Sequence, residues 1–510
     1  MKKSNSRIVV AVLVSGLATV ISYLINLLMT PYLTDRLGME AYGFVSVAKN
    51  AVGYAGIITI ALTSFVVRFV SVSYHEGDTD TARKYYASSV AAALILSGSI
   101  CLVALAIISK LEYVLNISAE LVNSVKLLFA VIFINFVLTT TTTPFSAAFY
   151  IKSRLDISGI IKIIAYLCEA GILVLLFVCF EPSIWYVGLG TLFATLVILV
   201  SSYGMTKRLT PELYFRPAFV SWDKVKRMMR NGIWNSLNSV GNVMNSGLDL
   251  LITNLLLSGT AMGQIAVVKT INTMFTTLYQ VIYQPFQPQL IKVYAQGDVN
   301  RFTRELKKVM CVCGCFASLA FAGFLAVGKV YYDLWLPKED TLLLYRLTIV
   351  TVLLSLTEGI MQPVYYVNTL TLKNKLPCFI TIGAGLINIA TMYFLLTNTD
   401  LGPFAVVGTT TVIMLCINLF FNPMYSAHCL QIPAMVLYRI LFRHFLAAGA
   451  TIVTLWVMAR GMHPDSWGRF FLCVLPLSVA GIAVYALVTM DREDRAGLRA
   501  YLKKKCCRSV

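Results

Sequence analysis

The sequence predicts an all-α polytopic membrane protein. It should have fourteen transmembrane helices, set as two parallel-repeat six-helix lobes around a central cavity, plus two C-terminal helices. Three observations predict this. Of 510 residues, 58% are hydrophobic and only 13% charged, with a mean hydropathy of +0.76, whereas a soluble domain carries about 25% charge. The apolar residues gather in continuous runs that can cross about 30 Å of hydrocarbon. One stretch of the chain also recurs, at an offset that carries Lys49 onto Lys269.

In order, the runs fall at 8–30, 42–70, 87–109, 124–149, 157–180, 183–205, 231–257, 261–290, 306–328, 347–371, 376–397, 402–427, 440–460 and 468–490. They are continuous rather than alternating, which selects helices over a β-barrel. The first is too long for a signal peptide and no small-residue cleavage site follows it, so it reads as a retained helix. Orientation follows from the loops. With the N-terminus cytoplasmic, the inside segments hold 31 of the 42 Lys and Arg, and the outside loops hold eight. Both termini are therefore expected in the cytoplasm. The same asymmetry accounts for the net charge of +18 without nucleic acid as a partner.

The repeat sets the domain boundaries. Ala41-Tyr-Gly43-Phe-Val45-Ser-Val47-Ala-Lys49 matches Ala261-Met-Gly263-Gln-Ile265-Ala-Val267-Val-Lys269. The same register pairs Leu37 with Leu257, Tyr74 with Tyr294, Gly77 with Gly297 and Asp78 with Asp298. An offset of six helices is even, so both copies cross in the same direction. The expected parts are an N-lobe (1–205), a cytoplasmic linker (206–230), a C-lobe (231–428), two further helices (429–490) and a basic tail (491–510). Within the linker, the basic stretch Trp222–Arg230 is expected to lie on the inner leaflet, where each Lys or Arg gains roughly 1 kcal/mol.

Charges inside the runs carry the functional signal. A charged side chain at mid-bilayer costs at least about 2.5 kcal/mol and normally faces a bundle interior or a wet cavity. Lys49, Asp249 and Lys269 lie about seven to nine residues from the outer edges of their runs, at about 1.5 Å per residue. Asn26 and Asn245 add polar surface, and Glu169 and Glu358 sit nearer mid-membrane. One reading is a cationic cavity that receives an anionic group on Lys49 and Lys269, with Arg68 at the inner gate. The bland reading pairs Lys269 with Asp249 and lets Arg68 snorkel to the interface; for Lys269 both stay open. Lys49 is read as functional because no acidic residue of its own half is expected at its depth. Glu169 and Glu358 are either proton or Na⁺ coupling groups or satisfied buried carboxyls. Pro285 and Pro288, among glutamines at the inner end of helix eight, mark a hinge or the helix's exit from the membrane.

Catalytic patterns are not found. The sequence has no phosphate-binding loop, nucleophile elbow or metal-ligand spacing, so no enzyme activity, cofactor or metal is expected. Most of the twelve cysteines lie in apolar runs, where cysteine behaves as a small hydrophobe. Cys506 and Cys507 follow a lysine run as an ordinary tail or a reactive or lipidated pair.

The segment Leu37-Gly38-Met-Glu40-Ala-Tyr42-Gly43, after Met29-Thr-Pro31-Tyr32-Leu33, resembles the lipid-linked oligosaccharide flippases of bacterial surface-polysaccharide synthesis. These are the O-antigen-type or polysaccharide-transporter family, in the superfamily that includes multidrug exporters and the lipid II flippase. The resemblance covers the first twelve helices. It implies two lobes rocking around a cavity, whose cationic residues (Lys49 and Lys269 first) hold the diphosphate of a polyprenyl-diphosphate-linked oligosaccharide. It also implies that helices thirteen and fourteen guide the polyprenyl tail. Helix one lacks the arginines of the lipid II branch and offers Asn26 instead. Membrane lipid, a glycan polymerase and glycosyltransferases are the partners implied, and a bacterial plasma (inner) membrane is the location implied. A multidrug or small-solute exporter of the same fold, or a non-transporting scaffold, is the alternative.

Overall fold

The computed structural model describes residues 2–152, 154–371, 373–462 and 464–489, and every long element in it is a helix. The basic tail, with Cys506 and Cys507, lies outside the described residues. In chain order the helices are α1 (Lys2–Leu37), α2 (Met39–His75), α3 (Thr79–Ile108), α4 (Val122–Thr142), α5 (Ser146–Ile151), α6 (Leu155–Cys179) and α7 (Trp185–Leu209). Then come α8 (Trp222–Asn242), α9 (Asp249–Leu256), α10 (Gly259–Tyr283), α11 (Gln287–Ala295) and α12 (Val299–Trp335). The last are α13 (Thr341–Val352), α14 (Ser355–Leu370), α15 (Lys375–Asn398), α16 (Pro403–Cys416), α17 (Asn422–Leu430), α18 (Ala434–Ala459) and α19 (Trp467–Thr489).

Among the described residues, twelve helical segments are long and apolar enough to cross a bilayer. The fourteen expected crossings are thus approximate. The two that fall short are α8–α9 and α10–α11, the runs richest in asparagine, glutamine and lysine. Both are helical but interrupted, α8 by a π-turn at Val243–Gly247 and α10 by a 3₁₀ turn at Gln284–Phe286. Proline 285 explains the second, since its ring removes a donor and crowds the preceding turn.

By packing, the chain divides into two compact units, Met1–Val267 with Lys375–Val406, and Val268–Asn374 with Val407–Val510. This grouping differs from the lobes expected from the repeat. In the first unit, α2 packs against α1, α3, α4 and α8. Its C-terminal half buries Leu62, Val66 and Val70 against Tyr85, Tyr86 and Met228. Trp222–Arg230 is the beginning of α8, with Lys224 4.8 Å from the Tyr85 ring and Arg227 5.6 Å from Phe69. Arg83 fastens the preceding loop, donating to the Glu212 carbonyl at 3.0 Å and lying over Tyr214 and Phe219.

The repeat has a direct structural expression in this unit. A Cβ added at Gly43 would stand 2.7 Å from Met262 Cε and 2.9 Å from the Gly263 nitrogen, and one at Gly263 would meet the Met39 carbonyl oxygen. The two equivalent glycines therefore cross back to back, as small residues do where membrane helices approach closely.

The second unit is built on α12, which packs along α14, α18 and α19. Phe302, Leu306, Val309 and Met310 meet Ile360, Val364 and Leu437 at one level, and Val327 meets Leu455 and Leu477 at another. In both units large apolar side chains remain outside the core, including Val178 at 79% exposure and Leu472 at 70%. Such surface suits lipid rather than water.

Candidate functional site

Lys49 sits on the unbroken part of α2, about ten residues, or roughly 15 Å, from its Met39 end. Its side chain is exposed, although Ala48 and Val47 beside it are buried. The carboxylate whose charge it senses is Glu169 on α6. Glu169 is equally far from the Cys179 end of α6, and that end meets α1 through Tyr32 and Phe177, whose rings are 5.0 Å apart. The expectation that Lys49 lacks an acid at its depth is therefore corrected. The apolar run begins at residue 42, whereas the helix starts at Met39, so position along the run understates position along the helix. A cation and an anion in a low-dielectric setting each favour the other's charged form, against the cost of burial.

Beyond Lys49, α2 turns a polar face to the π-turn of α8. Tyr54 Oη donates to the Gly247 carbonyl at 2.5 Å, and Asn50 Nδ2 donates to the same oxygen at 3.4 Å. A π-turn frees such carbonyls, and these turns recur at functional sites. Asn245, inside the turn, is 2% exposed. Its Nδ2 donates to the carbonyls of Gly241 and Thr381, both at 2.7 Å, and its own carbonyl accepts Asn388 Nδ2 at 2.6 Å. Asn245 Oδ1, however, accepts no hydrogen bond. Asp249, one turn on, is also 2% exposed, and its charge reaches Tyr54. A buried oxygen that lacks a donor, as Asn245 Oδ1 does, is what a small cation would satisfy.

The second unit holds Lys269 and Glu358. Lys269 is half-buried on α10, and Thr273 Oγ1 donates to its carbonyl at 2.8 Å. Glu358 on α14 is half-buried, and its Oε2 is enclosed without a hydrogen-bond partner. Its charge reaches Tyr279 and Tyr365. Tyr365 Oη donates to Asn418 Oδ1 at 2.7 Å, which also accepts Asn422 Nδ2 at 3.0 Å. Asn418 Nδ2 donates in turn to Thr357 Oγ1 at 3.1 Å. Asn418 lies in a second π-turn, Ile417–Phe421.

The structure thus joins Lys49 with Glu169, and Asn245 with Asp249. Arg68 joins neither group; it is exposed, with its guanidinium 6.0 Å from the Phe65 ring centre. Asn26 is exposed on α1 and donates to its own helix, at the Ser22 carbonyl, 2.8 Å. Sequence reasoning missed Tyr54, Asn388, Asn418 and Asn422. The signal for the last two was present, as asparagines one helical turn apart within an apolar run.

A family model described as polysaccharide biosynthesis protein matches residues 8–290. The chain is 26% identical over 493 residues to the uncharacterized membrane protein EpsK of Bacillus subtilis (strain 168), covering 96% of this chain and 97% of that protein. Among solved structures, the inward closed conformation of the lipid II flippase MurJ superposes with a TM-score of 0.71 at 13% identity, covering 94% of this chain and 98% of its own. An inward-facing multidrug resistance MATE family transporter of the MOP superfamily gives 0.61 at 13% identity, covering 80% and 95%. At these identities the likeness is one of fold.

Proposed function

The chain belongs to the polysaccharide biosynthesis protein family, and on that premise we propose that it flips a polyprenyl-diphosphate-linked oligosaccharide from the inner to the outer leaflet. The family and the fold make it a multi-pass membrane flippase or transporter. The substrate rests on one observation above the others, an exposed lysine well inside a span-length apolar helix, Lys49, whose charge is felt by the Glu169 carboxylate among the described residues. In this reading Glu169 keeps Lys49 charged between cycles, and the diphosphate takes its place when substrate enters. Lys269, at the equivalent position of the second copy, supplies the other ammonium. Arg68 serves the inner gate, and Asn26 adds polar surface to the cavity.

The repeat lobes, 1–205 and 231–428, rock about the linker 206–230, with both termini in the cytoplasm. Two negative charges moved outward gain up to about 4–5 kcal/mol at 100 mV, inside negative. The Asn245–Asp249 oxygens and Glu358 are the places for a coupling cation. The lipid-linked substrate is handed over by glycosyltransferases and on to a glycan polymerase. The alternative, an exporter of organic cations, draws on Glu358, whose bare oxygen would suit a cationic solute.

The test is translocation of a fluorescent polyprenyl-diphosphate sugar in proteoliposomes, with Lys49→Ala and Lys269→Ala. Each variant should flip at a tenth of the parental rate or less. Parental rates in both would refute the cationic site, and export of organic cations instead would establish the alternative.

A further inference from the structure

A groove in the second unit lies apart from the charges discussed above. It has a volume of about 950 Å³ and runs between the N-terminal turns of α12, the second π-turn and the start of α18. Arg304 and Lys307 line it from α12, and Arg439 and Arg443 from α18. Among the described residues no acidic side chain lines it. The rest of its wall is apolar, and Phe420 and Phe442 are 63% and 66% exposed. That wall is fixed in place, because Tyr438 Oη donates to the Leu419 carbonyl at 3.1 Å.

Depth identifies the layer in which this groove opens. At about 1.5 Å per residue α12 is roughly 55 Å long, well beyond a hydrocarbon core of about 30 Å. With its Trp335 end at one interface, Arg304 and Lys307 reach past the core at the other, into the headgroup layer. Arg439 and Arg443 occupy the first turns of α18, which packs along α12. The cations therefore stand at phosphate level, with the exposed phenylalanines beside them in the same groove.

We propose that this groove is a binding site for an anionic phospholipid of the surrounding leaflet. Its phosphate sits among Arg304, Lys307, Arg439 and Arg443, and its chains lie along Phe420 and Phe442. Two cation pairs, each on one helix face, fit a headgroup with two phosphates better than one. The proposal is independent of the transported substrate.

Native mass spectrometry of the full chain tests it, with cardiolipin, phosphatidylglycerol and phosphatidylcholine as probes. Cardiolipin should be retained most and phosphatidylcholine least. The double variant Arg304→Gln/Arg439→Gln should weaken cardiolipin retention about 30-fold, at roughly fivefold for each arginine lost near a membrane surface. The conservative double variant Arg304→Lys/Arg439→Lys should stay within about threefold of the parent. Should the Gln double variant fail to fold, the fivefold loss is read in each single variant. Equal retention of phosphatidylcholine, or undiminished retention by the Gln variants, would overturn the proposal. Displacement of cardiolipin by inorganic pyrophosphate would make the groove a free-anion site, and displacement by trace polyprenyl diphosphate would make it a substrate site. Either result overturns it too.

Discussion

The two copies of the repeat are alike at their ends and unlike in the middle. Each passes a glycine through the crossing, Gly43 and Gly263. Each ends on a glycine of positive φ, Gly77 at 83° and Gly297 at 74°, where a side chain would be strained. Each then caps the next helix with an aspartate, Asp78 accepting Thr81 N and Asp298 accepting Arg301 N, both at 2.9 Å. Between these ends α2 runs unbroken for 37 residues, while the second copy breaks into a 3₁₀ turn at Gln284–Phe286. The shared ends are devices of folding. The unlike middles differ in continuity, with an unbroken helix that carries an exposed lysine in one copy and a helix interrupted by a 3₁₀ turn in the other.

That contrast can be broken most forcefully at Phe65, the position equivalent to Pro285. Phe65→Pro should cost about 3 kcal/mol or more and leave little folded protein in a detergent thermal-shift assay. A Phe65→Pro protein of parental stability would mean that α2 does not need continuity. Next in size, Gly43→Ala and Gly263→Ala should each lower stability by about 1–3 kcal/mol, because the added carbon meets backbone across the crossing. An effect on only one of them would show that the crossing is not symmetrical. Pro285→Ala should change stability by less than about 1 kcal/mol yet slow translocation severalfold, the signature of a working hinge. Unaltered transport would mean that the turn merely ends the membrane span.

The smallest effect belongs to the caps. Asp78→Ala and Asp298→Ala should speed amide exchange in the first turns of α3 and α12 by similar, severalfold factors. The Thr81 N–H holds the Asp78 carboxyl below its usual range. A depressed carboxyl contributes its cap fully above its unfolded pKa and loses it as pH falls through the folded value. Protection of α3 should therefore fade only in acid, below about pH 4, and the Ala variant should show no such fade.

Much of this was readable from residues alone. Hydrophobic runs gave the helices, because lipid demands long, internally bonded segments. The repeat paired the glycines and the aspartates by register, while their roles at the crossing and as helix caps came from the structure. What escaped was whatever depends on exact helix starts or on turns within apolar runs. Glu169 reaches Lys49 because α2 begins three residues before its apolar run. The π-turns at Val243–Gly247 and Ile417–Phe421 leave no trace in hydrophobic periodicity, so Tyr54 and Asn388 had nothing to announce them.

The claim that Lys49 receives the phosphate-bearing end of the substrate is tested most directly by translocation of paired probes, one with a polyprenyl diphosphate and one with a polyprenyl monophosphate, in parent and Lys49→Ala proteoliposomes. The parent should favour the diphosphate about tenfold or more, and the alanine variant should lose most of that preference. An alanine variant that still prefers the diphosphate as strongly as the parent would contradict the claim.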